Sequence, residues 1–138
     1  MINTIFSFGF GKDVNFGECV NFIDTDAFLN FNKDVVGYGY SLRNGIDANF
    51  SNKKKISITI STDSILSGII EFKTENSKNV AEKRKKFRIT IGQTQINEKI
   101  PTLSSELKEI VLFFPKELNL TTADGTIPFI RFENISIC

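Results

Sequence analysis

No histidine occurs anywhere in the 138 residues. That removes Ser-His-Asp triads, Cys-His dyads, His-ligated zinc and the side chain best placed to move a proton near neutral pH. Cys19 and Cys138 are the only cysteines, so one chain cannot assemble a four-ligand zinc site. The two could bridge distant parts of the chain or stay as thiols. Free thiols, in a chain made in a reducing compartment, are the expectation. Phe8-Gly9-Phe10-Gly11 and Val36-Gly37-Tyr38-Gly39 lack the following helix and the lysine of a phosphate loop. Asp24, Asp26 and Asp34 could offer a calcium site from turns, but solvated turn residues that stop strands are the expected role. No catalytic residue, metal ligand or cofactor is expected, and the chain reads as non-enzymatic.

The chemistry that remains is cationic. Lys83, Arg84, Lys85 and Lys86 run together, Arg88 follows, and Lys53, Lys54 and Lys55 form a second run. Clusters of this kind suit anionic lipid head groups. They also suit phosphates, but no stacking aromatics interleave with them, so a nucleic-acid partner is not expected. The competing reading is solvated hairpin tips, or charges that keep sheet edges from aggregating. Net charge is +1, so only local patches can steer a partner.

The elements that must carry these residues are strands. Fourteen Phe and no Trp imply a core built on Phe and Ile, with any excess exposed as an interface or acyl groove. Period-two alternation dominates. Phe6, Phe8 and Phe10 share a face, as do Ile56, Ile58 and Ile60. Val36, Tyr38, Tyr40 and Leu42 line one face of another strand, with Gly37, Gly39 and Ser41 opposite. Two glycines on one face mark close backbone approach or a bend, so this strand is the expected partner interface. Asp24-Thr25-Asp26 reads as a turn, and Asn44-Gly45 as a hairpin signal. Residues 65–73 and 87–91 read as strands, 74–86 as a polar helix or loop, and 104–108 as a helical turn. Ile110–Phe114 reads as a strand buried on both faces, closed by Pro115. In the last strand Ile130 and Phe132 differ in parity from Ile135 and Ile137, which calls for a bulge near Glu133-Asn134. The sequons at Asn49, Asn119 and Asn134 are of the number chance gives an Asn-rich chain. The expected fold is all-β: one domain over residues 1–138, an antiparallel sheet of about eight strands with at most one or two short helices. No window is apolar enough for a transmembrane segment, and no signal peptide is read at the N-terminus.

Two resemblances follow from particular stretches. Ile127-Pro-Phe-Ile-Arg-Phe-Glu-Asn-Ile-Ser-Ile137 resembles the closing strand of galactose-binding-like jelly rolls, which include carbohydrate-binding modules. Phe6-Ser-Phe8, Asn15-Phe-Gly-Glu-Cys-Val-Asn-Phe22 and Asp47-Ala-Asn-Phe-Ser51 resemble the smallest OrfX proteins of botulinum-like neurotoxin gene clusters. The second resemblance implies a cytoplasmically made accessory protein, released with a toxin complex. It would be related to tubular lipid-binding (TULIP) proteins and would pair with a larger OrfX partner. It also implies an incomplete TULIP-like sheet, since the long helix of that fold is missing. The leading expectation is therefore a non-enzymatic accessory or assembly protein that joins a larger partner through an apolar β-surface, with anionic lipid as a second ligand. A carbohydrate-binding jelly-roll module is the alternative.

Overall fold

Ile56, Ile58 and Ile60 are fully buried while Ser57, Thr59 and Ser61 between them are half-exposed, the period of a strand with one covered face. The computed structural model describes residues 2–6, 19–31, 35–43, 50–75, 80–119 and 127–138. They form β1 (Ile2–Phe6), β2 (Val20–Phe28), β3 (Val35–Arg43), β4 (Lys55–Thr62), β5 (Leu66–Thr74), β6 (Lys83–Ile89), β7 (Gly92–Lys99), β8 (Leu107–Pro115) and β9 (Phe129–Ile137). A single 3-10 turn, η1 (Lys116–Leu118), is the one helical element among the described residues. The mostly-β class is as expected, with nine strands in place of about eight.

The strands make two sheets, a five-stranded one in the order β1-β3-β8-β5-β6 and a four-stranded one in the order β2-β9-β4-β7. All neighbours are antiparallel except β1 and β3, which run parallel. Only β5 and β6 are neighbours in both sequence and space, and every other step along the chain crosses to the opposite sheet. The Asn44-Gly45 signal therefore does not join a hairpin of β3 with β4, which lie in different sheets. Asn44 and Gly45 themselves lie outside the described residues, as do Phe8, Phe10 and Asp34.

The inner faces of the two sheets meet in one apolar cluster. Tyr40 on β3 stacks on Phe132 of β9 with ring centroids 4.6 Å apart, and Phe114 on β8 reaches the same ring at 6.5 Å. Such pairs add about 0.5–1.5 kcal/mol beyond the area they bury. In β9, Asn134 stands opposite Thr59 and Phe132 opposite Ile60, so Glu133 is the extra residue facing β4. This bulge lets Ile130, Phe132, Ile135 and Ile137 all reach the core, as their change of parity required.

Several local expectations are corrected. Asp24-Thr25-Asp26 is no turn, because β2 runs through it paired with β9, with Asp26 opposite Arg131. Lys83–Lys86 belong to a strand rather than a polar helix or loop, because Phe87 and Ile89 anchor that segment beside β5. Residues 104–105 form a bend and β8 begins at Leu107, with no helical turn. The free-thiol expectation also fails. Val20 is in register with Ile137, which places Cys19 opposite Cys138. The N–H and C=O of Cys138 both bond to Lys55, so the cysteines form a non-hydrogen-bonded cross-strand pair, the closer of the two kinds. Their Cα atoms are 4.2 Å apart and a disulfide joins them.

Candidate functional site

The outward face of β5 carries Ser67, Ile69 and Glu71, and in register beside them on the edge strand β6 stand Arg88, Lys86 and Arg84. Alternation splits the Lys83–Arg88 run between two faces. Arg84, Lys86 and Arg88 point out from the five-stranded sheet. Lys83 and Lys85 share the inward parity with Phe87 and buried Ile89. Lys85 reaches across the open side of the sandwich to Glu98 on β7, at 3.3 Å. Arg84 pairs with Glu71 at 3.2 Å. Exposed pairs of this kind contribute about 0–1 kcal/mol, so they orient side chains more than they stabilise the fold. At the start of β6, hydrogen bonds from the Ser104 hydroxyl and then its N–H hold the Glu82 carboxyl below the usual carboxylate range.

On the other side of β5 the chain leaves β8 through Pro115 into η1, which packs on β3 and β5. Asn119 fixes this turn. Its Oδ1 accepts from the N–H of Ser67 at 2.9 Å, and its Nδ2 donates to the carbonyls of Ser67 at 3.0 Å and Pro115 at 2.6 Å. Two hollows result. One, of about 420 Å³, is lined by Val36, Ile69, Glu71, Arg84, Phe113 and the Pro115–Glu117 segment. The other, of about 380 Å³, is lined by Ser67, Gly68, Lys86, Phe87, Arg88 and Leu118. They are separate hollows that follow one another along β5, and the groove they outline has a cationic side (Arg84, Lys86, Arg88) and a largely apolar side (Phe113, Pro115, Leu118). Val36 at 38% and Leu118 at 41% exposure leave apolar surface open here. The close backbone approach read from Gly37 has a local cause. A Cβ on Gly37 would lie 2.7 Å from the Phe113 ring and 2.5 Å from the Phe114 carbonyl.

The expected partner interface is not assembled. Tyr38, Tyr40 and Leu42 turn into the core, and of that set Val36 alone is exposed. The Tyr38 hydroxyl donates to the Asn30 carbonyl at 2.7 Å, and burial pushes its phenol above the ordinary value. The inward parity of this strand, opposite the glycines, is the core parity. Lys53, Lys54 and Lys55 are not brought to the groove. The backbones of Lys54 and Lys55 are tied to Cys138, with Lys54 also accepting from Ile100, the Lys53 N–H donates to the Phe50 carbonyl, and Lys53 and Lys54 border a separate hollow of about 240 Å³ with Phe50 and Leu103. Among the Phe side chains described, Phe31, Phe50, Phe72, Phe114 and Phe132 are buried, whereas Phe28 is 65% exposed against Phe129. Sequence reasoning missed Ile69, Glu71, Phe113, Lys116 and Leu118 as groove residues. For Ile69 and Glu71 a signal existed, since they share the outward parity of β5 with Ser67.

Among the described residues no group of three or more Cys, Asp or Glu side chains is placed to hold a metal ion, and no helix is long and apolar enough to cross a membrane. Against family models, curated proteins and solved structures the chain finds no match.

Proposed function

We propose that this chain is a non-enzymatic assembly module that holds an anionic partner in the groove on the outer face of its five-stranded sheet. The observation that carries the reading is the row Arg84, Lys86 and Arg88. It stands on one face, in register with Glu71, Ile69 and Ser67 and alongside the apolar wall. A row of like charges beside open apolar surface recognises a ligand that is anionic on one flank and apolar on the other. The resemblance to the OrfX family adds one class of larger partner, within a toxin-associated complex, and the basic row suits the anionic lipid of the same expectation. The test is binding of anionic probes, phosphoinositide vesicles and polyglutamate, by the wild type and by the Lys86→Gln/Arg88→Gln variant. Loss of two charges should weaken binding roughly 5- to 30-fold, about 1–2 kcal/mol, and salt should shrink the difference. Equal binding by both proteins would remove the groove from consideration.

A second reading has one observation in its favour. The order β2-β9-β4-β7 facing β3-β8-β5-β6, with the chain crossing between sheets at nearly every step, supports a jelly-roll sandwich. That favours the carbohydrate-binding alternative at the level of fold alone, and fold does not fix function. With no Trp in the chain, Tyr38 and Tyr40 are its two tyrosines that could stack on a sugar, and both are buried. A neutral oligosaccharide that raises the melting temperature, where anionic probes do not, would move the conclusion to this reading.

A further inference from the structure

Resting on that reading, we infer that the groove takes an extended segment of a partner protein with acidic side chains at alternate positions and apolar ones between. The first argument is repeat length. Arg84, Lys86 and Arg88 lie two residues apart on one strand, so their stems recur about every 6.6–6.8 Å. Alternate side chains of an extended peptide recur at the same distance, so successive carboxylates can meet Lys86 and Arg88 together, while Arg84 at the far end of the row is shared with Glu71.

The second argument is width. The walls stand on β6 and β8, the two neighbours of β5, and are therefore about 10 Å apart between backbones. A helix with its side chains is about 10–12 Å across and would be held above the floor. An extended chain fits between the walls and sends its side chains alternately to either side. One parity then meets Arg84, Lys86 and Arg88. The other meets Phe113, Pro115 and Leu118.

The third argument is the charge already in the groove. Glu71 and Glu117 line the larger hollow beside Arg84 and Lys116, so that hollow offers a continuous row of phosphates no excess of positive charge. Glu71 neutralises Arg84, which leaves Lys86 and Arg88 to dominate the field at the other end. A peptide can set an acidic residue against the cations and a backbone N–H against a carboxylate, which neither a nucleic-acid strand nor a bilayer surface can do at this spacing.

The test uses the full chain and three labelled peptides, read by fluorescence anisotropy. One alternates Glu and Val, one has the same composition with the Glu in a block, and one alternates Lys and Val. The alternating acidic peptide should bind more tightly than the block peptide, and the Lys peptide should not bind. Lys86→Gln/Arg88→Gln should weaken the alternating peptide about tenfold, and Lys53→Gln/Lys54→Gln should leave it unchanged. Unfolding curves of both variants should overlay the wild type, and a Lys86→Arg/Arg88→Lys exchange should retain binding should the Gln variant unfold. Equal binding of block and alternating peptides, both lost in the Gln variant, would overturn the extended-segment inference and leave the anion groove standing. Phosphoinositide vesicles bound through Lys86 and Arg88 with no peptide bound would do the same, in favour of lipid. Peptide binding indifferent to Lys86 and Arg88 would overturn both.

Discussion

Asn119 carries more of the groove than any charged side chain does. It is 2% exposed, and its amide is shared among Ser67 and Pro115, so three hydrogen bonds tie η1 to β5 and to the end of β8. Removing that side chain leaves the buried Pro115 carbonyl and the part-buried N–H and carbonyl of Ser67 short of partners, each costing on the order of 1–3 kcal/mol if water cannot replace it. Asn119→Ala should therefore destabilise the chain by about 2–3 kcal/mol, and anion binding should weaken because the wall bearing Lys116 and Leu118 loses its anchor. Urea unfolding of the variant beside a binding titration checks both. A stability change under about 0.5 kcal/mol would mean that the amide is not holding the turn. In the sequence Asn119 was visible only as a sequon, a pattern that says nothing about whether its amide points outward. The cations were legible as a cluster. Their division between two faces was not, because that needs β6 to be a strand and needs its register with β5.

At the scale of elements, what the sequence disclosed was whichever strand had one apolar face. β4 and β5 were readable for that reason, as was the bulge in β9, while the Ile110–Phe114 run of β8 was readable as an unbroken apolar stretch. β7 was missed altogether: Gln93, Gln95 and Asn97 give no apolar alternation, and only Ile96 joins the core, because the strand is a solvated edge. β6 was read only at its end, within 87–91, because cations fill the positions before Phe87 on another edge strand. Pairing was illegible because all neighbours but β5 and β6 are far apart in sequence. Within that one hairpin, Gly68 lies directly opposite Phe87, whose ring covers the position a Cβ would take. The ring also packs edge-on against Phe114, with centroids 5.6 Å apart, so it cannot swing away without losing core contact. Gly68→Ala should therefore cost about 1–3 kcal/mol despite Ala suiting a strand better than Gly. Gly68→Ala/Phe87→Leu should recover part of that loss relative to Phe87→Leu alone, in a double-mutant cycle of denaturation free energies. Additive effects would show that ring and glycine are not in contact.

At the scale of the molecule the strand order makes completion depend on the last strands. β8 lies between β3 and β5, and β9 lies between β2 and β4, so each sheet stays split until its C-terminal strand arrives. Contacts of such long range make folding slow, in the millisecond-to-second range typical of β-sandwiches. The Cys19–Cys138 disulfide acts on this arrangement, joining the first residue before β2 to the residue after β9 across 119 positions. In the chain-entropy account, a cross-link that closes a loop of this size removes unfolded-state freedom worth about 4–5 kcal/mol, with measured losses on removal of about 2–5 kcal/mol. The native ladder already sets the two residues opposite each other, so the bond restricts the unfolded chain and asks little rearrangement of the folded one. Reduced protein, or Cys19→Ser/Cys138→Ser, should keep its β-sheet circular dichroism while its urea midpoint falls, and the denaturant slope of the reduced form should rise as its unfolded state expands. The apolar clusters of the two sheets remain intact in that variant, so collapse at room temperature would exceed what the loop entropy can supply. Coincident unfolding curves for oxidised and reduced chain, or two titratable thiols in the folded protein prepared without reductant, would show that the staple is not what holds β2 to β9.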